Sequence, residues 1–322
     1  MRTPDGDNVE DAEIESLLGG PPRLALDDIV NHPRLAAAHS AYLDRFLEVY
    51  GGDPFLVRLL IESGRFLVYH LILVLEAAAD PARRETWPTV GLLKQNMAVF
   101  GLASGRHIDH LIGRLRSLGL IELRPAEQDK RVRILSAGEK LRAHDRDWLI
   151  AHFTPLAVLY PQHDYGPIMR RDPEFQNLLR RASVPFVPLG ARMLTRMPEM
   201  LLFFNHAAGA MVIAALMQAA LSDPGHPAVP YTDVGDRFGV SRTHVRQLLV
   251  AAEEAGFVKL HARGGRRVQI LPRLFDSHRN WVAGGMYVHD ICYLAATGAA
   301  ARQPAARPIA TRSGLWSVGA SG

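Results

Sequence analysis

The sequence lacks most features of secreted and membrane proteins. Of its 322 residues only Cys292 is a cysteine, which excludes an internal disulfide and is typical of a reducing compartment. The longest apolar runs, such as residues 66–75, are shorter than the roughly 20 residues that a helix needs to span a bilayer. The N-terminus is acidic rather than basic and then apolar, so we expect no signal peptide. These absences predict a cytoplasmic protein with no membrane partner.

Signatures of catalysis and metal binding are also missing. The sequence has no His-Glu-x-x-His run, no cysteine pair, no glycine-rich phosphate loop and no nucleophile elbow. The one close histidine pair, His107 and His110, lies on a polar helix face discussed below. His70 and His206 fall within apolar helices, which favours core histidines, and Cys292 fits a small buried side chain better than a redox sensor. We therefore expect a protein that is not an enzyme and has no cofactor or metal ion.

Charge is distributed unevenly along the chain. A hydrophobic content of 48% and a charged content of 22% are ordinary for a globular protein, and the formal net charge is +4. Residues 1–28 contain eight acidic residues and two arginines, a net charge of −6, which leaves about +10 for the rest. This composition predicts a disordered acidic arm on a basic body that could bind nucleic acid.

One stretch occurs twice, at residues 104–123 and 241–260. Each copy begins with a serine, a good helix N-cap, and continues with apolar residues at helical spacing. A glycine, Gly119 or Gly256, ends each predicted helix, because glycine adopts the left-handed C-cap conformation without steric penalty. An apolar pair follows each glycine and predicts the start of a strand.

The polar residues of both copies fall on the opposite helix face, near the N-terminus. In the first copy they are Ser104, Arg106, His107, His110 and Arg114. In the second copy they are Ser241, Arg242, Thr243, His244, Arg246 and Gln247. An apolar back and a cationic, hydrogen-bonding front suit a helix that enters the major groove of double-stranded DNA. Ordinary amphipathic surface helices share this pattern, so the residues that follow each helix are needed to distinguish a DNA-binding helix from a surface helix.

A predicted hairpin with a basic turn follows each helix, at residues 123–135 and 260–271. Its basic residues are Lys130, Arg131 and Arg133 in the first copy, and Arg263, Arg266 and Arg267 in the second. Gly264 and Gly265 form the predicted turn of the second hairpin. A helix followed by a basic hairpin is the arrangement of a DNA-binding winged helix.

The first copy resembles the winged helix-turn-helix regulators of the multiple-antibiotic-resistance (MarR) family. The segments 129–131 and 136–138 are similar to that family's wing and post-wing signature. The resemblance implies a recognition helix in the major groove and a wing arginine along the minor groove or the DNA backbone. It also implies that Asp129 holds the hairpin together rather than contacting DNA. The second hairpin lacks this aspartate, so it departs from the family pattern.

The repetition extends beyond these stretches. Pro33 and Pro173 begin corresponding helices, the second reaching about Ala182, and long helices at 136–160 and 272–297 follow the two hairpins. The predicted organisation is an acidic arm at 1–28, a first MarR-like repeat at 29–160, a Pro-rich connector at 161–171, a second repeat at 172–299 and a flexible basic tail at 300–322.

The two copies are not equivalent. The chain from Asp80 to Ser104 is six residues longer than the corresponding chain from Asp223 to Ser241. Asp109, in the first helix, would repel phosphate, although it could accept a hydrogen bond from a cytosine amine. The first copy is therefore predicted to bind DNA more weakly than the second.

Together these patterns predict a mainly α fold with small β-wings, in which two tandem winged helix-turn-helix units and their long helices form an intramolecular pseudo-dimer. We expect a monomeric transcription regulator that binds an imperfect inverted repeat in double-stranded DNA. The alternative is a tandem winged-helix scaffold that binds proteins, as in kleisin-binding subunits of bacterial condensin, but the basic residues of both copies favour DNA. The resemblance also implies an effector site, for an unknown small molecule, between each long-helix core and its winged unit.

Overall fold

The computed structural model describes residues 12–51, 59, 63–98, 100, 104–222, 231–261 and 267–301. In the first half the elements are α1 (12–18), α2 (Leu26–Val30), α3 (Leu35–Gly51), α4 (Ser63–Ala78), α5 (Val90–Ala98), α6 (Gly105–Ser117), β1 (Ile121–Pro125), β2 (Arg133–Ala137) and α7 (Glu139–Leu159). In the second half they are α8 (Gly166–Met169), α9 (Pro173–Ala182), α10 (Val187–Thr195), α11 (Pro198–Phe204), α12 (Gly209–Ser222), α13 (Tyr231–Phe238), α14 (Arg242–Glu254), β3 (Val258–His261), β4 (Arg267–Ile270) and α15 (Pro272–Ala301). The described chain is mainly helical, with two small antiparallel sheets, which confirms the predicted fold class at this level.

The same order of elements occurs in both halves: two short helices, a two-stranded hairpin and a long helix. In the first hairpin Ile121 lies opposite Ala137, and in the second Val258 lies opposite Ile270. We call α5, α6, β1 and β2 the first unit, and α13, α14, β3 and β4 the second unit. The long helices α7 and α15 begin directly after the hairpins, close to the predicted starts at 136 and 272.

The main core joins the two halves. It contains buried residues from α1–α3, from α7 and from most of the second half. Helix α3 packs along α7 and against α12, while α9 packs against both α4 and α15. Leu43, Phe153 and Met211 are fully buried between these helices. Because both halves contribute to one interior, separating them would expose a large apolar surface to water.

A smaller second core belongs to the first unit and α4. Ile72, Leu93 and Leu115 are fully buried in it, and the inner face of the first hairpin covers them. Helix α4 is apolar on most sides because one face contacts this core and another contacts α9. The first unit therefore has an interior of its own.

The second unit is attached differently. Its buried residues, including Phe238, Val245 and Val268, belong to the main core. Helix α13 contacts both α3 and α12, which connects the second unit to helices of both halves. The two units thus have the same order of elements but unequal attachment to the body.

The predicted disorder of residues 1–28 is wrong for residues 12–28, which form α1, the following turn and the start of α2. Ile14, Leu24 and Ile29 are buried in the main core. The guanidinium of Arg23 donates to both carboxylate oxygens of Asp290, at 2.9 and 3.0 Å from Nε. The acidic composition of this segment predicted disorder, although its few, widely spaced apolar residues are sufficient to anchor it in the core. Residues 1–11 lie outside the described residues, as do residues 302–322 of the predicted tail.

The Pro-rich connector also packs against the body. It contains α8 and the buried Tyr165, whose hydroxyl donates to Asp290 at 2.7 Å. Asp172 then caps α9 by accepting from the backbone amides of Glu174 and Phe175, at 2.9 and 3.1 Å. The predicted helix from Pro173 to Ala182 is confirmed.

Candidate nucleic-acid-binding site

The two candidate recognition helices, α6 and α14, start in the same way. The Ser104 hydroxyl accepts from the backbone amide of His107 at 3.3 Å, and the Ser241 hydroxyl accepts from that of His244 at 3.1 Å. Both serines have extended backbone geometry, which an N-cap requires. The predicted N-caps are therefore confirmed, and each polar front begins at a defined point on its helix.

Both helices also end in the same way. Gly119 and Gly256 have φ angles of +68° and +73°, in the left-handed region where glycine has no Cβ clash. The amide of Gly119 donates to Arg116 O, and that of Leu120 to Leu115 O, both at 2.9 Å. The equivalent bonds in α14 have lengths of 2.9 and 2.8 Å. These paired bonds satisfy terminal helix carbonyls and direct the chain into β1 or β3 in the same geometry.

The apolar backs of the two helices are buried as predicted. In α6 the buried residues are Ile108, Leu111, Ile112 and Leu115, and in α14 they are Val245, Leu248, Leu249 and Ala252. Since these residues recur every three or four positions, the opposite face of each helix points to solvent. The polar residues predicted to contact DNA lie on that exposed face.

Most of these polar residues are exposed. In α6 and its cap they are Ser104, Arg106, His110 and Arg114, with His107 half-buried. In α14 and its cap they are Ser241, Arg242, Thr243, Arg246 and Gln247. On each helix, the exposed residues predicted to contact DNA thus include two arginines together with hydrogen-bonding side chains.

His244 is the exception in the second helix. Its Nε2 lies 2.9 Å from the backbone carbonyl of Ala207, in the turn between α11 and α12, and its side chain is half-buried. The ring also lies 6.2 Å from the ring of His206. While this bond is made, Nε2 is unavailable to a DNA base. His244 therefore attaches the front of α14 to the body.

Asp109 has a partner that the sequence pattern did not indicate. Lys94 on α5 lies 2.7 Å from its carboxylate. The pair is partly exposed, so it stabilises the unit little, but it offsets the negative charge on the front of α6. The repulsion of phosphate expected from Asp109 is reduced accordingly.

Asp129 orders the turn of the first hairpin, which agrees with the role that the family resemblance implies. Its carboxylate accepts from the backbone amide of Arg131 at 3.1 Å and lies 3.3 Å from Arg84 Nη2. Its carbonyl accepts from the amide of Val132 at 3.0 Å. Asp129 is thus engaged by the protein, while Lys130, Arg131 and Arg133 are exposed.

The first hairpin is also tied to the segments around its unit. Glu76, near the end of α4, accepts from the Ser136 hydroxyl at 2.8 Å and from the Ala137 amide at 3.0 Å. It forms an ion pair with Arg142 at 2.7 Å. The amide of Leu135 donates to Pro88 O at 2.7 Å, which adds a third backbone segment beside β2. The basic turn therefore extends from a fixed base.

The second hairpin is described only in part. Arg267 is exposed and lies opposite His261 in the register of β3 and β4. The carboxylate of Glu253 on α14 accepts from the Leu260 amide at 2.7 Å and so joins helix and strand. Arg263, Arg266 and the predicted glycine turn at 264–265 lie outside the described residues.

Comparisons of the chain with protein-family models, with curated proteins and with solved structures find no match. Within the described ranges, no three His, Cys, Asp or Glu side chains are grouped so that they could hold a metal ion. Among the described helices, none is by itself long and apolar enough to cross a membrane. Helices α11 and α12 together have the length and composition, but they are bent by 117° relative to each other.

Proposed function

We propose that this protein is a sequence-specific DNA-binding transcription regulator that acts in the cytoplasm. The observation that carries the proposal is the matched construction of α6 and α14. Both helices have the same N-cap and C-cap, the same buried back and an exposed basic front, and both lead into a hairpin with exposed arginine. An isolated amphipathic helix could arise without such a function. Two copies with this geometry are better explained by binding to a repeated target.

Electrostatics supports the same proposal. Arg106 and Arg114 on α6 and Arg242 and Arg246 on α14 are exposed on the helix faces. The described hairpin residues Lys130, Arg131, Arg133 and Arg267 add further exposed positive charge. Cations in this arrangement can contact phosphates on both sides of a groove, while polar side chains of the helix contact base edges.

The packing of the two halves favours a single chain that binds a two-part site. In the proposed arrangement, which resembles a MarR dimer, the two winged units replace the two subunits. The shared main core fixes the second binding surface at high effective concentration near the first. Two such helices would enter major grooves about one helical turn apart, roughly 34–36 Å.

The two half-sites would not be identical. Arg242, Arg246 and Gln247 are proposed to contact bases in one half-site, and Arg106, His107 and His110 in the other. His244 is assigned to docking of α14 because of its bond to Ala207. The target is therefore proposed to be an imperfect inverted repeat.

The test is a selection of genomic DNA fragments followed by binding measurements over a range of salt concentrations. With about six to eight phosphate contacts, log K should fall with log salt at a slope of roughly −5 to −7. Arg131→Ala and Arg267→Ala should each weaken binding to all sequences and flatten the slope by about one unit. Arg45→Ala is the control for net charge, because Arg45 is exposed on α3 and pairs with Glu48 at 2.8 Å.

Two outcomes would contradict the proposal. One is a slope near zero, and the other is an equal effect of the Arg45, Arg131 and Arg267 substitutions. If no fragment is selected while protein partners are captured, the chain is a tandem winged-helix scaffold. Two chains on a single selected duplex, measured by sedimentation, would instead indicate an ordinary dimer.

A further inference from the structure

We infer that a cavity between the first half and the second half binds a small, uncharged aromatic molecule that carries a hydrogen-bond donor. The cavity has a volume of about 250 Å³ and lies where α4 meets α7, α10 and α15. This volume is near the lower end of the range for small-molecule sites, so it suits a molecule of one or two rings.

The walls of the cavity are mostly apolar and include aromatic rings from both halves. Phe46, Phe66 and Trp148 come from the first half, and Phe186 and Trp281 come from the second. Flat aromatic walls favour a flat aromatic ligand, which can stack on them or meet them edge to face. Because both halves supply the lining, the site depends on the assembled chain.

Three histidines are among the polar residues that line the cavity: His70 on α4, His152 on α7 and His289 on α15. In each ring Nδ1 bonds the backbone carbonyl four residues earlier. The distances are 3.0 Å for His70 and 2.9 Å for His152. A carbonyl can only accept, so Nδ1 carries the proton of the neutral ring and Nε2 keeps a lone pair.

The Nε2 atom of His70 is buried and has no hydrogen-bond partner among the described residues. Nδ1 is held by the helix backbone, so Nε2 is the ring nitrogen of His70 that remains for a ligand in the cavity that this residue lines. A buried acceptor without a partner costs stability, and a ligand donor would remove that cost. This unsatisfied acceptor specifies a donor on the ligand; the buried Nε1 donor of Trp148, which also lines the cavity, has no partner among the described residues either.

The charge of the cavity excludes an anionic ligand. Burial lowers the pKa of His70 and His152 well below the ordinary histidine value, and that of His289 to about 4. Burial also raises the pKa of the Cys292 thiol to about 12, so this group is neutral too. Arg180 lines the cavity, but its guanidinium is paired with Asp145. No unpaired cation among the described lining residues is therefore available for a carboxylate.

The histidines are arranged around Trp148 rather than around a common point. The Trp148 ring centroid lies 4.4 Å from that of His70, 3.6 Å from that of His152 and 5.3 Å from that of His289. A metal ion would require nitrogens that converge at about 2.1 Å from one position. Because the three rings are grouped around an indole and not around a common point, the cavity favours an organic ligand over a metal ion.

The test compares three probes with the same ring system: 2-naphthol, naphthalene and 2-naphthoate. Calorimetric titration of the full chain at pH 7.5, without DNA, should give 2-naphthol the tightest binding. One buried hydrogen bond corresponds to roughly tenfold in Kd over naphthalene. The carboxylate should bind more weakly than either neutral probe. Since no DNA is present, the result does not depend on the proposed regulatory function.

His70→Phe should remove the preference for 2-naphthol over naphthalene while naphthalene still binds. His70→Gln, which keeps an acceptor, should retain part of that preference. Ala191→Phe on α10 should fill the cavity and abolish binding of both neutral probes, and thermal unfolding would verify that each variant is folded. The inference is overturned if no probe binds the wild-type chain, if 2-naphthoate binds best, or if His70→Phe keeps the naphthol preference.

Discussion

The buried ion pair between Asp145 and Arg180 should be essential for joining the two halves. Asp145 on α7 is fully buried and accepts from Arg180 Nε on α9 at 3.1 Å, with a second bond from Arg180 Nη2. Gln176 Nε2 donates to the same carboxylate at 2.7 Å. The perturbation is Asp145→Ala, which removes the acceptor for all three bonds.

The magnitude follows from what the substitution leaves behind. Arg180 is only 7% exposed, so without Asp145 its charge remains buried and unpaired. Removing one partner of a buried ion pair typically costs about 3–5 kcal/mol. Gln176 keeps its bond to the Arg142 carbonyl at 3.0 Å, so the loss of its bond to Asp145 adds only about 1 kcal/mol. We therefore expect Asp145→Ala to lower the free energy of unfolding by about 4–6 kcal/mol, a large share of the stability of a typical protein.

The assay is urea unfolding followed by tryptophan fluorescence and circular dichroism. The Trp148 ring centroid lies 5.3 Å from the Arg180 guanidinium, so fluorescence reports on this region. Glu48→Ala is the matched control, because its pair with Arg45 is exposed and should contribute less than about 1 kcal/mol. The double variant Asp145→Leu/Arg180→Met should recover most of the lost stability, since it leaves no buried charge. Equal effects of Asp145→Ala and Glu48→Ala would refute this reasoning.

Three further predictions concern pH and the candidate interface. Burial lowers the pKa of His39, which bonds His278 at 2.9 Å, to about 4. The neutral ring therefore contributes its whole stabilisation above about pH 6.5, and this contribution should fall toward pH 4 by up to about 1.4 kcal/mol per pH unit. The free energy of unfolding, measured in urea at pH 7.5 and at pH 5.5, should differ less between the two pH values in His39→Gln than in the wild type. An unchanged difference would show that His39 is not the source of the pH dependence. Gly119→Ala should destabilise the chain by about 1–2 kcal/mol because Gly119 has a positive φ, whereas Gly113→Ala in the preceding helix should stabilise it. An added Cβ meets no atom at either position, so the two substitutions differ in backbone conformation alone. Effects of the same sign in thermal unfolding would contradict this. His244→Ala should weaken DNA binding without relaxing the base preference of the α14 half-site, because it loosens the attachment of α14 and removes no base contact. A relaxed base preference at that half-site would show direct contact.

Much of the candidate interface could be predicted from the sequence because its determinants are local. Ser104 and Ser241 cap amides three residues away, and Gly119 and Gly256 end helices through bonds that span five residues. Such bonds depend on the backbone and on neighbouring side chains, so spacing in the sequence is sufficient to indicate them. The role of Asp129 in the turn is local in the same sense.

The contacts that hold the body together are of another kind. Asp290 binds Arg23, 267 positions earlier, and His39 meets His278 across 239 positions. Such distant pairs depend on how the helices pack, which composition and periodicity do not specify. For the same reason the acidic segment 12–28 was predicted to be disordered. His70, expected to be a satisfied core histidine, is satisfied only at Nδ1.

The unequal attachment of the two units has a consequence for how the chain opens. The first hairpin covers a core that it shares mainly with α4–α6, whereas the second hairpin covers part of the main core. Local unfolding follows such boundaries, because breaking a small separate interior costs less free energy than breaking the common one. The backbone amides of β1 and β2 can therefore exchange with solvent while α3 and α7 stay folded. Those of β3 and β4 become exposed only when the interior between the two halves is lost.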